Sequence, residues 1–135
     1  MRSMTRRRFM THVIPATVAT SLVPWQALAS RGGERRLSFH SAHTGEAIDT
    51  VYRSATGYEP KGLADLNYIL RDWRNGEVSS MNHDLLDLLH DLRASFGSSE
   101  PFHLISGYRS PGSNAMLAGK SSGVARKSLH MRGMA

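Results

Sequence analysis

From residue 35 onward the apolar positions of the chain repeat with two different periods. In Arg35-Arg36-Leu37-Ser38-Phe39-His40 they alternate with polar neighbours, which predicts a short half-buried strand behind a polar, glycine-containing linker at residues 30–34. A turn at His43-Thr44-Gly45-Glu46 leads into Ala47-Ile48-Asp49-Thr50-Val51-Tyr52, rich in β-branched and aromatic residues and predicted to pair with the first strand as a hairpin. Tyr58-Glu59-Pro60-Lys61-Gly62 reads as a second loop. Helical spacing follows: Leu63, Leu66, Leu70 and Trp73 stand at i, i+3, i+7 and i+10, and Asn75-Gly76 stops the helix. Asn67 lies within that stripe, where a buried amide needs partners, and a bond to a neighbouring backbone group is its ordinary reading.

A second helix is predicted after an Asn82 cap, with Leu85, Leu88, Leu89, Leu92 and Phe96 on one face and Gly97 at its end. His83, Asp84, Asp87, His90 and Asp91 spread across the opposite face at about 100° per residue, the pattern of a solvated surface rather than a metal site. No spacing singles out His40, His43 or His103. Pro101-Phe102-His103-Leu104-Ile105-Ser106 predicts a third strand, opening into a loop, Gly107-Tyr108-Arg109-Ser110-Pro111-Gly112-Ser113-Asn114, that places a charged residue at the strand's mouth. Loops held on a rigid scaffold are where site residues concentrate.

The N-terminal end follows neither period. Thr5-Arg6-Arg7-Arg8-Phe9 precedes an uncharged, moderately apolar run from Met10 to Pro24, which closes with Ala27-Leu28-Ala29. Twin arginines, an apolar stretch of roughly 7 to 15 residues and a small-x-small site predict a twin-arginine export signal at residues 1–29, cleaved before Ser30. The run falls short of the roughly 20 apolar residues of a membrane span, so no stable membrane anchor is expected.

Removing that segment changes the charge. Arg2, Arg6, Arg7 and Arg8 leave with it, so 13 of the 17 basic residues face 11 acidic ones and the net charge falls from +6 to +2. With no clustered Lys and Arg remaining, a nucleic-acid footprint is excluded. The mature part suits one small domain. Cysteine is absent, so no disulfide framework supports it in an oxidising compartment, and a bound metal is an alternative staple.

Two motifs carry the chemistry. Ser106-Gly107-Tyr108-Arg109-Ser110-Pro111 followed by Asn114, and Ser128-Leu129-His130-Met131-Arg132-Gly133-Met134-Ala135, resemble the Ser-Gly-Tyr-Arg-Ser-Pro motif and the front of the Ser-x-His-x-x-Gly-x-Ala-x-Asp metal motif of the VanX/VanY-type zinc D-alanyl-D-alanine peptidases. Together with Leu37-Ser38-Phe39, His43-Thr44-Gly45-Glu46 and Leu85-Leu86-Asp87-Leu88-Leu89-His90, they make the chain resemble the YcbK-like (MepK-like) murein endopeptidase branch of that superfamily.

The resemblance implies a small α+β fold of the Hedgehog/DD-peptidase type, an antiparallel sheet with helices on one side. It implies a periplasmic peptidase that hydrolyses murein cross-link peptides with Zn2+ after export by the twin-arginine translocase. A murein carboxypeptidase and a non-catalytic cell-wall-binding module are the alternatives. By resemblance His130 is a zinc ligand, Arg109 is the catalytic cation facing the substrate carbonyl or carboxylate, and Ser128 binds substrate or orients the site loop. Without the resemblance, a surface ion pair would be the ordinary reading of Arg109. Gly133 would supply the turn that returns the motif's Asp to His130. That Asp falls two residues past Ala135, and the second His ligand lies beyond the chain end as well. Residues 30–135 are therefore expected to be a zinc peptidase domain incomplete at its C-terminal end.

Overall fold

The first strand, β1 (Arg35–Ser41), buries Leu37 and Phe39 on one face, as its alternation predicts, and pairs antiparallel with β2 (Ala47–Ser54) from Arg35 against Arg53 to His40 against Ala47. The computed structural model describes residues 33–135, and the expected signal at residues 1–29 lies outside them. The connecting turn closes through Ser41 N–H to the Glu46 carbonyl, 2.8 Å, and Gly45 N–H to the Ser41 carbonyl, 2.9 Å. A two-residue strand, β3 (Gly57–Tyr58), extends β2, and β4 (Phe102–Leu104) adds to the other side of β1, giving the order β3-β2-β1-β4. The antiparallel arrangement expected of the sheet holds for β1, β2 and β3, but β4 runs parallel to β1. Parallel neighbours need a long crossover, and here two helices supply it.

The first of these, α1 (Pro60–Ile69), starts earlier than the leucine stripe suggests because Pro60 occupies its first turn, where a missing N–H is harmless. It lies directly on β2: a Cβ at Gly62 would come within 1.9 Å of the Val51 carbonyl oxygen. The helix also ends earlier than predicted. Leu70 is its C-cap, its carbonyl accepts the Tyr108 N–H at 2.7 Å, and Trp73 stands on the surface. Asn67 accepts the Met81 N–H through Oδ1 at 2.9 Å, the backbone partner that its place in the stripe calls for.

The second helix, α2 (His83–Ser95), begins at the predicted cap, where Asn82 Oδ1 accepts the Leu85 N–H. Of the predicted face, Leu85 and Leu89 pack against the core, but the rest differs. Leu86 is fully buried, whereas Leu88 is 61%, Leu92 43% and Phe96 77% exposed. The cause is Asp87, which is not solvated: it accepts from the Tyr52 hydroxyl at 2.8 Å, Arg53 at 2.8 Å and the Tyr58 hydroxyl at 3.0 Å, with Arg35 at 3.5 Å. Burial pushes the Asp87 carboxyl up, but the tyrosine hydrogen bonds and the two arginines outweigh it and hold it below the usual range. With Asp87 drawn to the sheet, Leu86 turns fully inward between Leu85 and Leu89, and Leu88, Leu92 and Phe96 are left outward. Arg93, a turn and a half further on, binds Ser38 and the Arg36 carbonyl, occupying part of the edge of β1 that β4 leaves unpaired.

Leu37, Phe39, Tyr52, Leu66, Leu70 and Leu86 form one core with Ile69, Met81 and Tyr108, so both helices and the loop beyond β4 share a single apolar centre. A third helix, α3 (Pro111–Lys120), stands where the sequence suggested only a loop. Ser110 caps it by accepting the Ser113 N–H, and Pro111 fills its first turn. Among the described residues no helix is long and apolar enough to cross a membrane.

Candidate active site

Past β4 the chain is pinned to the end of α1 at every step. Gly107 sits so close to it that a Cβ would meet the Leu70 carbonyl oxygen at 2.4 Å. Tyr108 is buried, and its hydroxyl donates to Glu77 Oε1 at 2.9 Å. Burial first, and then that carboxylate, push the phenol above its ordinary value. The Ser110 N–H donates to Asp72 Oδ2 at 2.9 Å, and Asp72 Oδ1 accepts the Arg74 N–H at 3.1 Å. Asp72 is fully buried. Burial pushes its carboxyl up, but hydrogen bonds from Ser113, Ser110 and the Arg74 backbone prevail and keep it below the ordinary range. Arg109 is thus held between two anchored neighbours.

The second motif meets the first along this loop. Residues Leu129–Arg132 form a 3-10 turn whose N-cap, Ser128, accepts the His130 N–H through Oγ at 3.3 Å. The His130 carbonyl accepts the Arg109 N–H at 3.1 Å, and His130 Nδ1 lies 2.8 Å from the Gly107 carbonyl oxygen. A carbonyl only accepts, so Nδ1 carries a proton and, in the neutral ring, Nε2 keeps its lone pair. This is how histidine ligands are commonly oriented. Gly133 closes the turn at φ 62°, and its carbonyl accepts the Asn82 N–H at 2.9 Å. The three residues singled out from the sequence, Arg109, Ser128 and His130, are therefore joined by direct backbone and side-chain bonds.

The Arg109 guanidinium makes no ion pair among the described residues. Its Nη1 donates weakly to Asn114 Oδ1 at 3.4 Å, and its Nε is buried with no partner there. A half-buried cation without a carboxylate departs from the ordinary reading of a surface ion pair. Asn114 is nearly buried and ties this loop to the next one by donating from Nδ2 to the Ala125 carbonyl at 3.1 Å. Asp72 was not singled out from the sequence, where it is one polar residue in a helix-ending Asp72-Trp73-Arg74-Asn75-Gly76 run. The cap and proline at Ser110-Pro111 were a readable signal for α3.

A catalytic zinc takes about three protein donors and keeps one open position. His130 fits as one of them by its tautomer. Among the described residues no three His, Cys, Asp or Glu side chains are grouped to hold a metal, so these residues do not complete a zinc site.

A mixed four-stranded sheet carrying helices, with its motif loops gathered beyond β4, makes this a small α+β fold, consistent with the peptidase class that its motifs resemble. Residues 29–135 match the family described as peptidoglycan L,D-endopeptidase MepK, and the chain belongs to that family. It is 38% identical over 120 residues to the peptidoglycan L,D-endopeptidase MepK of Escherichia coli (strain K12), a match covering 87% of this chain and 66% of that protein. It is 34% identical over 110 residues to the probable peptidoglycan L,D-endopeptidase MepK of Haemophilus influenzae, covering 81% and 59%. The chain thus spans about two thirds or less of the length of these relatives. No solved structure matches it significantly.

Proposed function

We propose that the chain carries the substrate-facing part of a zinc-dependent peptidase that cuts murein cross-link peptides in the cell envelope, after export directed by residues 1–29. The observation that carries this is the junction of the two motifs, where the Gly107 carbonyl orients the His130 ring and the backbone beside it fixes an Arg109 with no acidic partner among the described residues. Names of the relatives support the same reading.

In this reading the residues divide the work by their chemistry. His130 offers Nε2 as one zinc ligand, and zinc when bound would polarise the scissile carbonyl and activate water. Arg109 presents a cation's donors in a fixed fork, suited to a carbonyl oxygen as it gains negative charge. Ser128 spends a lone pair on the His130 N–H, which leaves its hydroxyl proton free to donate to substrate.

The test is a chimera in which residues 30–135 replace the aligned part of the Escherichia coli relative, assayed on murein sacculi with products read by mass spectrometry. Cleaved cross-link peptides are expected. Arg109→Ala in that chimera should lower turnover by roughly 10², the worth of one preorganised donor to an oxyanion, with zinc content and circular dichroism unchanged. A folded, zinc-loaded chimera that leaves sacculi intact would sink the reading.

A further inference from the structure

All 11 acidic residues of the chain lie at or before Glu100. The last 35 residues hold Arg109, Lys120, Arg126, Lys127 and Arg132 and not one carboxylate side chain, a count of +5 along the sequence, and the carboxylates that pack against them, Asp72 and Glu77, are engaged by Ser110 and Tyr108. Fields of one sign concentrated at a cleft raise the local concentration of ligands of the other sign.

Within that stretch α3 forms one wall of an open cavity of about 580 Å³, with Asn114, Ala115, Ala118, Gly119, Arg126 and Met131 along it. This is the size range of ligand clefts. The cavity adjoins the candidate site on two sides: Asn114 binds Arg109, and Met131 follows His130 in the chain. Its floor is small and apolar. Of its polar groups, the Asn114 amide is engaged at both ends, by Arg109 and by the Ala125 carbonyl. Arg126 has no hydrogen bond or ion pair among the described residues; of the three guanidiniums in this stretch that meet no carboxylate there, Arg109, Arg126 and Arg132, it is the one that lines the cavity.

We infer that this groove is a subsite for the acidic arm of the peptide substrate, with Arg126 pairing a free carboxylate on a residue next to the bond held at Arg109. A peptide backbone laid along the alanines needs little width, and a carboxylate at the rim would meet a fork of donors that matches it in a bidentate pair. The inference rests on the peptidase reading above and assigns the substrate feature that the site selects.

The test measures binding by the 135-residue chain, without turnover. Two fluorescently labelled murein stem peptides are compared by anisotropy, one with free side carboxylates and one with those carboxylates amidated. The free acid should bind about tenfold more tightly, the scale of one charge-assisted hydrogen-bonded pair. Arg126→Ala should erase the difference by weakening the free acid about tenfold, whereas Arg126→Lys should keep part of it. Gly119→Leu should weaken both peptides. A Cβ at Gly119 meets nothing within 4 Å, so the fold tolerates it while the larger side chain fills the groove. Equal affinity for the two peptides, a preference that survives Arg126→Ala, or no binding of either would overturn the inference. The peptidase reading is judged separately by sacculus digestion in the chimera.

Discussion

Asp72 lies outside both sequence motifs, yet its removal should do more damage to the candidate site than most changes within them. Its carboxylate is fully buried and accepts the backbone N–H of Ser110 at 2.9 Å and of Arg74 at 3.1 Å. Asp72→Ala would leave both donors buried without an acceptor, at about 1 to 3 kcal/mol each, so about 2 to 6 kcal/mol together. A small domain has only about 5 to 15 kcal/mol in total. Asp72→Asn keeps the shape and one accepting oxygen but turns an amide toward the other donor, which should cost about 1 to 3 kcal/mol. The assay is urea unfolding of each variant followed by circular dichroism across pH 3 to 7. Because the carboxyl sits below its ordinary value in the folded state, its contribution is present above the unfolded value of about 3.9 and is lost as pH falls through the folded one. The gap between wild type and Asp72→Asn should therefore be full at pH 6 and narrow steadily below about pH 4. A gap under about 0.5 kcal/mol at pH 6, or one that stays constant down to pH 3, would refute the role assigned to this carboxylate.

Gly133→Ala should destabilise by about 1 to 3 kcal/mol, since φ is 62° and the new Cβ would stand 2.7 Å from the Ser80 carbonyl oxygen. Gly45→Ala, at φ 73° with open space around it, should cost only the backbone part, and equal urea midpoints for the two variants would count against the steric argument. Zinc titrated into metal-free residues 30–135 should bind weakly and below one equivalent, and His130→Ala should remove what does bind. Stoichiometric zinc that withstands dialysis would show that further donors among these residues had been overlooked. Residues 1–35 fused to a reporter active only when exported folded should deliver it to the periplasm, and changing Arg6 and Arg7 together to Lys should stop it. Export that persists after Arg6, Arg7 and Arg8 are all replaced would rule out the twin-arginine assignment.

Local chemistry was enough to determine much of this protein from its sequence. Alternation at Leu37 and Phe39, the turn at Gly45 and the cap at Asn82 depend on a few neighbouring residues, and the structure places strand, turn and helix there. Arg109 and His130 stood out through motif spacing, which reads along the chain and needs no fold. What the sequence left undecided were matters of partnership across distance. A leucine-rich helix presents more than one apolar stripe, and which one is buried was decided by Asp87 reaching Tyr52, Arg53 and Tyr58 some 30 residues away. Where α1 ends was decided by Tyr108 taking the Leu70 carbonyl, and the direction of β4 by the two helices that precede it. Asp72 could be recognised as a structural anchor only once Ser110 was beside it, 38 residues along the chain. A buried polar group is stabilised by whichever partner the fold brings to it, and tertiary structure alone decides that pairing.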